Sequence, residues 1–147
     1  MSARPAPATR NAFATFRQLQ TRWNDNDIYG HVNNAIHYLL FDTAVNGWLL
    51  EAGLLAMRDP THVWIVAETA CRYHEEIAFP DRVDAGLRLN HLGGSSVTWE
   101  IGLFRNDADW ASAEGRFVHV HVRRNGLRPE SIPDHARATL KPLLTAS

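Results

Sequence analysis

Cysteine is nearly missing from this chain: Cys71 stands alone, so no intrachain disulfide can form, and a reducing compartment is compatible with the sequence. No stretch approaches the roughly eighteen consecutive apolar residues of a membrane-spanning helix. The opening M-S-A-R-P-A-P-A-T-R carries basic residues but no apolar run of signal-peptide length, so a cytoplasmic chain with no membrane contact is expected. Charge of one sign is lacking as well, since 15 basic residues face 16 acidic ones for a formal net charge of −1. No global field draws the chain to nucleic acid, although local basic clusters can still hold a phosphate.

Several catalytic signatures are also absent. The eight histidines include His119 and His121 on one strand face, but no H-E-x-x-H and no cysteine pair completes a zinc set, so no metal is expected. There is no G-x-S-x-G elbow for a serine nucleophile, no P-loop and no dinucleotide-binding G-x-G-x-x-G. The five tryptophans are spread through apparent strands and helix, where they read as core or interface rather than a base-stacking platform. Internal repeats and low-complexity segments are absent.

What remains is a chain of 147 residues, 45% hydrophobic, able to bury one sizeable core. Residues 1–11 read as a disordered tail and 12–147 as a single domain. Phe13 to Trp23 has an impure strand pattern. The Asn-Asp-Asn-Asp run and Gly30 then mark a loop, because short polar side chains compete with ladder hydrogen bonds. Asn33 or Asn34 caps a helix running to about Ala52, where Gly53 supplies a left-handed stop. Ile36, Leu40, Ala44 and Trp48 recur every four residues, with Phe41, Val45 and Leu49 on the adjoining face. So wide an apolar surface requires something that wraps the helix.

After a turn at Pro60 come four β-rich stretches, His62 to Ile77, Asp81 to His91, Ser95 to Arg105 and Trp110 to Arg123, separated by good turn material. An antiparallel meander is the simple reading. A short helix from about Ile132 to Leu144 closes the chain, with Pro133 in its first turn. The class expected is α+β, with a curved five-stranded antiparallel sheet rolled around a long central helix.

The densest chemistry lies in W-N-D-N-D-I-Y-G-H-V-N-N-A-I-H-Y, Trp23 to Tyr38. The segment from Asp25 to Tyr38, D-x-D-x-x-G-H-V-N-N-x-x-x-Y, resembles the acyl-CoA thioesterases of the hotdog fold, in the 4-hydroxybenzoyl-CoA thioesterase-like group. Val66-Ala67-Glu68, Arg72-Tyr73, Phe79-Pro80-Asp81, Gly94 to Glu100 and Ile132-Pro133 extend the likeness in order over nearly the whole chain.

The resemblance implies a hotdog domain that hydrolyses acyl-CoA without a cofactor, as a homodimer or homotetramer with the active site at the subunit interface. It puts the catalytic carboxylate on Asp27, as nucleophile toward the thioester carbonyl or as general base for water. It puts the oxyanion donor on the backbone N–H of Asn34. Independently of any family, the start of a buried helix offers unpaired N–H groups and a positive dipole end for such an anion. Asp25 reads as an Asx residue satisfying the turn. His31 corresponds to a histidine that plant acyl-carrier-protein thioesterases use in catalysis; their asparagine two residues after the aspartate is Tyr29 here, so that site is incomplete. Tyr29, Gly30 and Tyr38 are candidate substrate contacts beside it, and Glu68 is a candidate second carboxylate supplied across a dimer. Candidates for the coenzyme A phosphates are Arg88, Arg123 and Arg124, with Ser95 and Ser96 in a small-residue turn that lets a pantetheine arm approach. The alternatives are an acyl-carrier-protein thioesterase and a non-catalytic acyl-CoA sensor domain.

Overall fold

The computed structural model describes residues 4–59 and 61–145. Pro60, expected in a turn, lies outside them, as do the first three residues of the expected tail. In chain order the elements are β1 (Thr15–Gln20), α1 (Asn34–Glu51), β2 (His62–Tyr73), β3 (Arg82–Leu92), β4 (Ser96–Arg105), β5 (Ala113–Arg123) and α2 (Asp134–Leu140), with 3-10 turns at Arg10–Ala12, Trp23–Asp25 and Lys141–Leu143. The strands form one antiparallel sheet in the order β1-β3-β4-β5-β2.

Period two decides the faces. Along β5, Gly115, Phe117, His119 and His121 are buried, while Glu114, Arg116, Val118 and Val120 alternate with them on the outer face. Against the inner face lies α1, which buries His37, Leu40, Phe41, Ala44, Val45 and Leu49. Phe41, Val45 and Leu49 meet Leu87, Leu89, Trp99 and Ile101 in one sealed cluster. Each such side chain contributes roughly 1.5–3 kcal/mol through removal from water. Asn33 caps α1 by accepting the Ala35 N–H at 2.9 Å, and Gly53, at φ +76°, ends it with its N–H on Leu50 O.

Four expectations need correction. The strands are not a simple meander, because β1 occupies the free side of β3 and β2 pairs instead with β5, His62 opposite Arg123 and Tyr73 opposite Ala113. The first strand ends at Gln20 rather than Trp23, since the Thr21 N–H turns to Asp81 O and residues 23–25 coil into a 3-10 turn. The second stops at Tyr73 rather than Ile77, because the His74 and Glu75 N–H groups both donate to Ser112 O and pull the chain off the sheet. Within the stretch read as a disordered tail, residues 8–10 are docked: Thr9 bridges to Trp110, the Ala8 N–H reaches Glu114, and the Arg10 guanidinium pairs with Asp84 at 2.7 Å while lying over Phe104. Phe13 follows it onto the outer face, where Gly86 and Gly102 pair across β3 and β4; a Cβ on either would come within 2.7 Å of its ring. Among the described residues no helix is long and apolar enough to cross a membrane.

Candidate active site

The loop between β1 and α1 is built on Asp25, which is 2% exposed. Its carboxylate accepts the Arg22 N–H at 2.7 Å and the Arg22 guanidinium at 2.8 Å, and its carbonyl accepts the Asn33 N–H at 2.9 Å. The Asx reading of Asp25 describes this role, which ties the loop's entry to its exit. Between them Asn26 to Val32 closes as a small hairpin. The Asp27 N–H bonds His31 O and the Gly30 N–H bonds Asp27 O, both at 3.0 Å, with Gly30 at φ +86° in a conformation that favours glycine. Val32, 1% exposed, donates to Ile77 O and anchors the hairpin to the chain that leaves β2.

This frame holds the Asp27 carboxylate half-exposed, with one oxygen accepting the Tyr29 N–H at 2.9 Å and the other the Asn33 side-chain amide at 3.3 Å. Two neutral donors orient the carboxylate while leaving lone pairs for chemistry. Next to Asn33, the Asn34 N–H has no acceptor among the described residues, as the first turn of a helix dictates. Asn34 lines a cavity of about 210 Å³ together with His31, His37, Tyr73, Glu76 and Ile77.

His31 stacks on Tyr29 at 6.2 Å and turns its Nε2 toward Glu76, 3.8 Å away. His37 is 4% exposed, and its burial holds the imidazole below its usual range, so the ring is neutral at pH 7. Its Nδ1–H donates to Asn33 O at 3.2 Å. Tyr73 sets its ring edge-to-face with His37 at 4.8 Å and donates its hydroxyl to Asn34 O at 2.9 Å. Burial, with Cys71 and Tyr38 beside it, raises the Tyr73 phenol above its usual range and keeps it a donor, and burial pushes the Cys71 thiol up to about 11, leaving it unreactive.

The structure therefore brings Asp27, Tyr29, Gly30, His31 and Asn34 into one loop and helix start. His37 and Tyr73 join them, and neither was singled out as a site residue; the signal was present in the helical spacing of four between Asn33 and His37. Tyr38 is half-buried beside Tyr73, with its ring edge-to-face on Phe41. The other candidates lie elsewhere. Glu68 points from the outer face of β2 and pairs with Arg116. Arg88 is also on the outer face, held by Glu100 and Ala12 O at 2.9 Å each and lying over Phe13, so it is not a free phosphate ligand. Ser95 and Ser96 sit in a turn whose carbonyls are taken, Ser95 O by the His121 N–H and Gly93 O by Arg137. Arg123 pairs with Glu130 and Arg124 with Asp59 O, at the β2 end that begins with His62. At about 3.3 Å per residue, the length of β2 separates them from Tyr73 by roughly 35 Å.

Known proteins resemble this chain over most of its length. Residues 21–140 match the sequence model of the thioesterase-like superfamily. The crystal structure of the PA5185 protein from Pseudomonas aeruginosa strain PAO1 is 44% identical, with a TM-score of 0.92, over 97% of this chain and 99% of that one. The PA2801 protein of Pseudomonas aeruginosa is 27% identical, with a TM-score of 0.79, over 84% and 95% of the two chains. Slr0204 of Synechocystis, a 1,4-dihydroxy-2-naphthoyl-CoA thioesterase, shares the fold at 12% identity and a TM-score of 0.78, over 86% of this chain and 94% of that one.

Proposed function

Since the chain belongs to the thioesterase-like superfamily, we propose that it hydrolyses acyl-CoA to a free acid and coenzyme A, with Asp27 and the Asn34 N–H as its reacting and stabilising groups. The observation that carries this reading is the Asn34 N–H, without an acceptor among the described residues, at the start of an 18-residue helix: Asn34 lines the cavity, and its neighbour Asn33 holds the Asp27 carboxylate. Thioester hydrolysis develops negative charge on the carbonyl oxygen, and a fixed N–H at a positive helix end stabilises that charge without reorganisation. Asp27 then acts in one of two ways. It attacks the carbonyl carbon, forming an acyl anhydride as the thiolate of coenzyme A leaves, and water cleaves the anhydride; or it takes a proton from water as that water attacks. Neither route needs a cofactor. His31, between Tyr29 and Glu76, orients the hairpin or the substrate.

A second copy of the chain fits this chemistry. Among the described residues the outer edge of β2, twelve residues long, has no strand beside it and is a template for another strand. Antiparallel pairing about a two-fold axis near its middle sets the partner's first β2 residues, and with them the partner's Arg123 and Arg124, beside this copy's Tyr73 and Asn34. Those guanidinium groups would then meet the coenzyme A phosphates in trans.

The test is thiol release from short, long and aromatic acyl-CoAs by the wild type and Asp27→Asn. Loss of a nucleophile or base lowers turnover by at least about 10²-fold with the fold retained. Equal activity in the two proteins removes Asp27 from the chemistry, and tight binding of acyl-CoA without turnover by the wild type refutes the enzyme reading.

A further inference from the structure

We infer that His37 is a positioning residue that aims and polarises the oxyanion donor, an inference that rests on the function proposed for Asn34. The argument is about one peptide unit. The Asn33 carbonyl and the Asn34 N–H belong to the same plane, and the carbonyl is bonded twice, by the Ile36 N–H at 2.9 Å and by the His37 Nδ1–H at 3.2 Å. Donation to a carbonyl draws charge through the amide and makes the N–H on its other side a stronger donor, an effect that grows where water is excluded. The first bond is ordinary helix closure; the second is a side-chain addition that the fold does not require.

The ring is fixed for this role. It is 4% exposed, and the Tyr73 ring meets it edge-to-face at 4.8 Å. The Tyr73 hydroxyl grips Asn34 O, the next carbonyl of the same turn, at 2.9 Å. Two side chains from different elements thus hold successive carbonyls of the turn at which Asn34 lines the cavity. His31 lies toward the ring, while His74, Glu75 and Glu76 line the same cavity from the chain after β2. Neutral His37 has a single N–H, and the carbonyl contact assigns it to Nδ1.

A packing role and a donor role separate cleanly in two variants. His37→Phe keeps an aromatic ring against Tyr73 and loses the donor. His37→Asn loses the ring but sets an amide nitrogen where Nδ1 stood; this same helix already contains that bond, from the Asn46 side chain to Asp42 O at 2.9 Å. For the acyl-CoA turned over fastest, His37→Phe lowers kcat by about tenfold with KM within about twofold, a fraction of the 10²–10³ lost when an oxyanion donor is removed outright. His37→Asn recovers most of that kcat, and Tyr73→Phe, which leaves the imidazole in place, loses less than His37→Phe. The second readout is the infrared carbonyl stretch of a bound ketone analogue in which methylene replaces the thioester sulfur. It shifts down on binding to wild type and to His37→Asn, and returns toward its value in water in His37→Phe.

Full activity in His37→Phe, or equal losses in Phe and Asn variants that melt like wild type, overturns the role of His37 and leaves Asn34 untouched. An unshifted carbonyl in the wild-type complex overturns the Asn34 reading, and the role of His37 with it.

Discussion

Gly115→Ala should destabilise the protein although it adds a single methyl group to a strand. A Cβ at this position on β5 would stand 2.5 Å from both Cε2 and Cζ of Phe41 and 2.9 Å from Cδ2. Carbon atoms pack best at about 3.5–4.0 Å, so two contacts overlap by about 1 Å. Phe41 cannot retreat cheaply, because it is wholly buried between α1 and the sheet. Overpacking of this kind costs about 1–3 kcal/mol, and the lower chain entropy of alanine in the unfolded state returns about 0.5–1 kcal/mol. Taken at mid-range the net loss is about 1 kcal/mol, a fall in Tm of about 3 °C for a chain of this size. Thermal unfolding followed by circular dichroism gives the shift, and a cycle with Phe41→Leu identifies its cause, since the double variant should lose less than the sum of the singles. An unchanged or raised Tm refutes the reasoning, as does a strictly additive cycle.

Acid should weaken the fold through His119. Its ring is 1% exposed, its Nδ1 lacks a partner among the described residues, and burial pushes its pKa down to about 4. Between its ordinary value of 6.5 and about 4 the unfolded chain binds the extra proton, so stability is full above that window and falls as pH drops through it. Urea titrations from pH 7.5 to 4 should show His119→Leu losing less over this range than wild type, and parallel losses would contradict the assignment. Arg88→Ala should lower Tm while leaving KM for acyl-CoA unchanged, because its guanidinium is committed to Glu100, Ala12 O and the Phe13 ring; a severalfold rise in KM would restore it as a phosphate ligand. Asp25→Ala strands the Arg22 N–H and loosens the entry of the loop that carries Asp27, so a loss of about 1–3 kcal/mol is expected together with lower turnover, measured by denaturant melts and thiol release.

The local parts of this molecule were readable because they depend on neighbours in sequence. The four-residue spacing from Ile36 to Trp48, the cap at Asn33 and the stop at Gly53 are fixed within a few residues of chain, and α1 runs from Asn34 to Glu51 close to expectation. Gly30 and the paired aspartates announced a tight polar turn, and the turn sets Asp27 near the helix start. By contrast, nothing in a strand's alternation names its neighbour, so β2 was read beside β3 and found beside β5. Nor does an arginine's position in sequence say whether its head is free, which is why Arg88 read as a ligand and proved to be a brace.

By itself, then, the sequence determined which segments form helix and strand and where the polar turn before α1 falls, because capping, periodicity and turn chemistry act over a few residues. The tertiary structure alone decided the order of the strands and the exposed edge of β2. It also brought the end of β2 against the start of α1, so that Tyr73 and His37 grip the carbonyls around Asn34. These are contacts between elements far apart in the chain, set by how the apolar faces of sheet and helix bury one another, and no local pattern encodes that partner choice.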